Sequence, residues 1–171
     1  MVKTRAILEE YKTYVPGRSK KEIAEEYGVA EESIIKLGSN ENPWGPSPKA
    51  KQAIIDSIDE INRYPESNHE YIKEQIAKYA NVTKDQVIIG GDGADELFEV
   101  LAKTVIDEGD EFIVHQPTYT YYEYTFKQSN AKAVYATWNI EENKLDVDSV
   151  LNNITDKTKV LLISFPNNPT G

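Results

Sequence analysis

The chain has 171 residues, 39% of them hydrophobic and 28% charged, with a formal net charge of −10 and no cysteine. That length holds one domain with a real core, and the acidic balance argues against nucleic acid or an anionic membrane as the main partner. The missing thiols exclude a disulfide framework, a thiolate zinc site and a cysteine nucleophile, while no apolar run nears the ~18 residues of a membrane span.

His69 and His115 lie far apart and make no metal-ligand spacing, so no metal is expected. The start carries no signal-peptide core, and a cytoplasmic location is the expectation. Residues 1–14 read as an arm, with a short helical stretch at Ile7 and Leu8, followed by a turn at Tyr14-Val15-Pro16-Gly17-Arg18. Ser19 with Glu22 is a capping-box pattern that opens a helix through Ile23 and Ala24, and Gly28 stops it. Ile34–Leu37 reads as a short strand. Pro43, Pro46 and Pro48 forbid helix and central strand until Pro48 itself, which suits a first helical position with Ser47 as cap. The helix that follows is expected to bury Ala50, Ala53, Ile54, Ile58 and Ile61 on one side and to break at Arg63-Tyr64-Pro65. Asn68 is read as the cap of a further helix through Ile72 and Ile76 to Tyr79.

Thr83 leads into Val87-Ile88-Ile89, read as a short buried strand because three β-branched residues are bounded by glycine. Gly90-Gly91-Asp92-Gly93 then turns sharply into a helix whose apolar face is Leu97, Phe98, Leu101 and Val105. From here strands and helices alternate. A strand at Phe112–His115 is stopped by Pro117, and a tyrosine-rich helix covers Thr120–Gln128. A strand at Ala133–Ala136 and a short helix at Asp148–Ile154 follow. Val160–Phe165 is an apolar strand, expected to be buried on both faces and, in this length, to leave an open edge. The acidic faces Glu22/Glu25/Glu26 and Asp56/Asp59/Glu60 read as solvated surface.

This order implies right-handed crossovers and a mainly parallel sheet, an α/β fold that binds ligands at the carboxyl ends of its strands. Three segments would share that rim: the glycine turn, Gln116-Pro117-Thr118-Tyr119 and Pro166-Asn167-Asn168-Pro169. The start of the helix after Gly93 presents unpaired N–H groups, for which a phosphate is the natural guest. The turn is not a P-loop, since no Gly-Lys-Ser/Thr closes it, nor a dinucleotide fingerprint, since Glu96 stands where a third glycine would be.

The combination resembles the fold-type I, pyridoxal-phosphate-dependent aminotransferases, and within them the histidinol-phosphate subgroup. The matching stretches are Asn40-Glu41-Asn42-Pro43 with Gly45-Pro46-Ser47-Pro48, Arg63-Tyr64-Pro65, Gly91-Asp92-Gly93-Ala94-Asp95-Glu96, Pro117-Thr118-Tyr119 with Tyr122, and Asn167-Asn168-Pro169-Thr170-Gly171. The resemblance implies a three-layer α/β/α large domain, incomplete here, with residues 1–40 as an arm and small-domain segment and 41–171 as the front of the cofactor domain. It implies pyridoxal 5'-phosphate as cofactor, with the Ala94 and Asp95 amides on its phosphate, Tyr119 stacked on its ring and Asn168 at its phenolic oxygen. Tyr64 would reach the cofactor phosphate of a partner subunit in a homodimer, and Tyr14 and Asn40 would meet an amino-acid or phosphate substrate. The implied reaction is amino exchange between histidinol phosphate and 2-oxoglutarate.

Without those motifs the same residues read more plainly. Tyr119 is then a packing tyrosine, Asn168 a turn residue, Tyr64 a loop aromatic and Arg63 a surface ion-pair former. His115, at a strand end near the rim, is a further candidate, and His69 reads as solvated. The family also needs a Schiff-base lysine, an aspartate at the pyridine nitrogen and a carboxylate-binding arginine, all downstream of the Asn-Pro-Thr-Gly turn. No lysine here matches that motif, so no catalytic residue is assigned, and the chain is expected to be the front part of a longer protein, inactive alone. Two alternatives stand beside this reading. One is a related decarboxylase of a phosphorylated amino acid or an aromatic aminotransferase. The other is a non-catalytic fragment that binds phosphate or dimerises.

Overall fold

The computed structural model of the chain describes residues 2–10 and 17–171. The chain forms two compact units, one of Met1–Tyr11 with His69–Gly171 and one of Lys12–Asn68.

The larger unit holds a three-stranded parallel sheet of order β2-β1-β5. Its strands are β1 (Glu111–His115), β2 (Lys132–Ala136) and β5 (Thr158–Leu162). Helices α4 (Gly93–Val105) and α5 (Tyr121–Gln128) lead into β1 and β2, and α6 (Val147–Asn152) into β5. Successive β1 residues face opposite ways, as the period of two requires. Phe112 and Val114 join Ala102 of α4, Phe126 of α5 and Leu162 of β5. Ile113 meets Ala136 and Val150 of α6 on the other face. The sheet is therefore covered on both sides, in three layers, and each fully buried apolar side chain contributes about 1.5–3 kcal/mol.

Glu111 fastens the opposite end of the sheet, accepting from Thr155 Oγ1 at 2.8 Å and Lys132 Nζ at 3.2 Å. Thr155, then Lys132, hold its carboxyl below the usual range. The arm near the chain start is a 3-10 helix, Ala6–Glu10, in the place read as helical. Arg5 donates from Nη1 to the Gln128 carbonyl at 2.9 Å and from Nη2 to Asn130 Oδ1 at 3.0 Å, tying the arm to the end of α5.

Three readings of this unit need correction, and one element is new. Val87–Ile89 is not a strand: no described strand lies beside it to complete a ladder, and Ile88 is 73% exposed. Helix α3 (Glu70–Ala80) is entered through His69 in the left-handed region, φ 51°, with no side-chain cap, rather than through Asn68. A small hairpin with strands of two residues each, β3 (Trp138–Asn139) against β4 (Lys144–Leu145), adds an element that the sequence pattern does not mark. Finally, β5 is the edge of the described sheet, in keeping with the open edge expected of it, but it runs Thr158–Leu162 and its apolar residues are not enclosed on both faces, Leu161 being exposed along with Ile163 and Phe165 beyond its end.

The smaller unit is built differently. Helix α1 (Lys20–Tyr27) carries the full capping box, with Ser19 Oγ accepting from Glu22 N at 3.2 Å and Ser19 N donating to Glu22 Oε2 at 2.6 Å. Gly28 closes it at φ 64°, where a Cβ would strain the backbone. Helix α2 (Pro48–Asp56) has proline at its first position, but Ser47 makes no side-chain cap bond. Ile34–Leu37 is unpaired and not a strand. The stripe Ala50, Ala53, Ile54, Ile58 and Ile61 is exposed, not buried, because no element of this unit covers it. None of the described residues of this unit is buried. Among the described residues no helix is long and apolar enough to cross a membrane.

Candidate functional site

The rim forms where the carboxyl ends of β1 and β5, which run parallel, meet the start of α4. The turn into α4 needs its glycines. A Cβ on Gly90 would lie 2.9 Å from Glu96 Oε2, 3.0 Å from the Gly93 carbonyl and 3.2 Å from Leu97 Cγ, and Gly93 sits at φ 59°. Glu96 folds back over this turn, its carboxylate accepting from Gly91 N and, at 3.2 Å, from Asp92 N. Asp92, the N-cap, makes no side-chain cap bond, so the first-turn amides of Gly93, Ala94 and Asp95 have no intrahelical acceptor.

The loop after β1 is fixed to this turn by one side chain. Tyr119 Oη donates to the Asp95 carboxylate, 2.9 Å from Oδ2 and 3.1 Å from Oδ1. Its ring meets Tyr122 edge-on at 5.5 Å, and Tyr122 meets Phe98 of α4 edge-on at 4.8 Å, so Tyr119 stands at the head of an aromatic chain that leads into the core. Two residues on, Tyr121 Oη donates to Glu99 Oε1 at 3.0 Å, one helical turn along α4. That bond lowers the Glu99 carboxyl and raises the Tyr121 phenol.

The same loop lines a cavity of about 380 Å³ between Val114, Gln116, Thr118, Tyr119 and Glu123. Glu123 holds its wall. It accepts from Tyr135 Oη at 2.7 Å and Gln116 Nε2 at 3.1 Å, and pairs with Lys127. Burial raises the Glu123 carboxyl, but the bonds from Lys127, Tyr135 and Gln116 outweigh it and bring it below its ordinary value.

The last loop joins through Asn167, not Asn168. Buried Asn167 donates from Nδ2 to the Pro117 carbonyl at 3.1 Å and to Thr170 Oγ1 at 2.9 Å, and Asn168 stands exposed beside it. The peptide bonds preceding Pro117, Pro166 and Pro169 are cis. His115, the last residue of β1, is buried and stacked on Trp138 at 4.8 Å. Burial lowers its pKa, opposed weakly by the Pro117 backbone nearby, and neither ring nitrogen forms a hydrogen bond.

Of the residues picked out from the sequence, Ala94, Asp95 and Tyr119 meet at one place, and the loop of Asn168 is bonded to the loop of Tyr119. Tyr64 and Asn40 belong to the other unit. Tyr64 is fully exposed, and Asn40 is exposed in the left-handed region at φ 49°, which asparagine tolerates. Tyr14 lies outside the described residues. Sequence reading missed Glu96, Asn167 and the Asp95 side chain. For Glu96 a signal existed, an acid five residues after Gly91 and on the first turn of a helix. Asn167 had only its place in an Asn-Asn-Pro run. Among the described residues no cluster of three or more acidic, histidine or cysteine side chains could hold a metal ion.

The cradle fits a phosphorylated aromatic ring. Glycines let the backbone come close where a Cβ would intrude, uncapped amides favour an anion, and the Tyr119 face lies one hydrogen bond away. A curated histidinol-phosphate aminotransferase of Methanosphaera stadtmanae is 97% identical over the whole chain, which spans 47% of that protein. One from Methanocaldococcus jannaschii is 52% identical over 99% of the chain and 46% of its own length. The chain thus spans about half the length of the curated relatives it matches. Among solved structures, histidinol-phosphate aminotransferase of Sinorhizobium meliloti in complex with pyridoxal-5'-phosphate superposes with TM-score 0.79 at 18% identity, covering 100% of this chain and 44% of that one. Alanine aminotransferase of Pyrococcus furiosus gives TM-score 0.71 at 26% identity over 89% of this chain and 40% of that one. The fold is therefore that of the pyridoxal-phosphate-dependent aminotransferases, incomplete in this length. With the family model for aminotransferase class I and II matching residues 32–171, the chain belongs to that family.

Proposed function

We propose that this chain is the cofactor-cradling part of an aminotransferase that exchanges an amino group between histidinol phosphate and 2-oxoglutarate. The observation that carries the reading is the bond between Tyr119 and Asp95, which brings an aromatic face to a helix start whose amides await an anion. The curated relatives' names supply the substrate.

In this reading the Ala94 and Asp95 amides hold the phosphate of pyridoxal 5'-phosphate. Tyr119 covers one face of its ring, and Asn168 donates to the ring's phenolic oxygen. Bound there, the cofactor supplies the electron sink that amino exchange requires. The chain's own residues bind and orient. The amides of α4 fix the phosphate end, and Tyr122 and Phe98 back the stacking ring. Asn167 holds the Asn168 loop against Pro117, and Gln116 is held by Glu123. Tyr64 would contact the cofactor phosphate of a partner subunit in a cytoplasmic homodimer, and Tyr14 and Asn40 the substrate. Residues 41–171 would form the front of the cofactor domain and 1–40 the arm and small-domain segment. No lysine of this chain is given the covalent role.

The test compares pyridoxal phosphate with pyridoxal, and histidinol phosphate with other amino donors, in the complete gene product. The reading expects tighter binding of the phosphorylated cofactor and preference for histidinol phosphate. Equal binding of both cofactor forms sinks the cradle, and preference for another donor sinks the substrate. Borohydride treatment of the 171-residue chain with pyridoxal phosphate should leave no lasting adduct.

A further inference from the structure

We infer that the Asp95 carboxylate is a positioning residue that sets the tilt and height of the Tyr119 ring over the cofactor seat. The inference rests on the cofactor reading above and adds to it a task for the Asp95 side chain, distinct from that of its backbone amide.

The geometry is specific. Both carboxylate oxygens lie within reach of one phenol, at 2.9 and 3.1 Å, across a sequence separation of 24. Asp95 is held by α4, whose inner face is seated in the core through Phe98 and Ala102. Tyr119 lies in a loop with no helix or strand of its own. A tyrosine ring attached only at Cβ swings about two torsions, and fixing its far end to a helix removes that freedom. The edge-on contact with Tyr122 restrains the same ring from the side. Anchored at Cβ, at one edge and at the hydroxyl, the ring is held before any guest arrives. Pre-organisation of this kind raises affinity by lowering the ordering cost of binding. The Tyr121–Glu99 bond, one helical turn away, holds the start of α5 to α4 in the same way and keeps the two elements in step.

The test is a double-mutant cycle in the complete gene product, using Asp95→Ala, Tyr119→Phe and the pair together. Each single change should weaken pyridoxal phosphate about tenfold, the worth of one hydrogen bond to a charged group. The pair should be no weaker than either alone. Asp95→Asn keeps an acceptor and loses the charge, so it should recover part of the loss and separate tethering from any effect of charge on the phosphate. The visible circular dichroism of the bound cofactor should change alike in Asp95→Ala and Tyr119→Phe. Multiplying effects in the pair, no recovery in Asp95→Asn, or a change below about twofold in Asp95→Ala would overturn the inference. The same cycle read by thermal unfolding without cofactor reports the bond by itself. Additive shifts there overturn the tether, whereas a wild-type protein with no affinity for pyridoxal phosphate overturns the cofactor reading and leaves the unfolding cycle to judge the tether.

Discussion

The two compact units carry similar apolar patterns and put them to different use. In the larger, Phe112, Ile113, Val114 and Phe126 are enclosed by helices on two faces of a sheet. In the smaller, α2 and the residues just after it present an apolar stripe of Ala50, Ala53, Ile54, Ile58 and Ile61, and no described residue is buried. Helical periodicity says which side of a helix is apolar, not whether anything covers it. A face becomes a core only where another element meets it, and in this chain that condition holds from residue 69 onward.

The contrast can be broken most sharply at Phe112. Replacing it with alanine should cost about 3–5 kcal/mol in chemical denaturation, the usual toll of emptying a fully enclosed phenylalanine site. A loss below about 1 kcal/mol would mean that the sheet is no better packed than α2. Gly90→Ala tests the close approach at the rim. Its Cβ would press on Glu96 and on the Gly93 carbonyl, so we expect a loss of about 1–3 kcal/mol together with weaker pyridoxal phosphate binding.

His115 gives the larger unit a pH dependence. Burial lowers its pKa in the folded state, so the unfolded chain takes up a proton first as pH falls. Its contribution to stability is intact above the ordinary histidine value near 6.5 and declines as pH drops from there towards the folded value, by at most about 1.4 kcal/mol per pH unit. Subtracting the profile of His115→Phe from wild type should isolate that decline, and a flat difference would deny the burial. The smallest effect belongs to the smaller unit. Ile54→Ala should change stability by less than about 0.5 kcal/mol, as at other exposed positions, and a larger loss would show that the stripe is covered in solution.

What the sequence made legible follows the same division. Ends of helices were readable where the chemistry is local. Ser19, Glu22 and Gly28 cap α1 through bonds spanning a few residues, and Pro48 begins α2 for reasons internal to its own ring. The central strand and the helix after it were readable because Phe112–Val114 make an apolar run in β1 and Pro117 stops the strand. Strand identity at Val87–Ile89 was not, since a strand is defined by a neighbour that β-branched composition cannot supply. The loops after β1 and β5 were legible as one edge because the parallel order forces that arrangement, whereas the glycine turn reaches it at the start of α4 and not from a strand of its own. The bonds that close the rim were not legible. Asp95 with Tyr119 and Asn167 with Pro117 join residues 24 and 50 positions apart, and nothing in either sequence neighbourhood announces the other.

The placing of β1 between β2 and β5 has one more consequence. β1 is bonded along both sides, whereas β5 has a bonded side and, among the described residues, a free one. Tyr119 thus follows a strand held on both sides, and its loop is tied in turn to α4 through Asp95 and to the last loop through Asn167. A change that shifts the loop after β1 should therefore move both other walls of the rim with it.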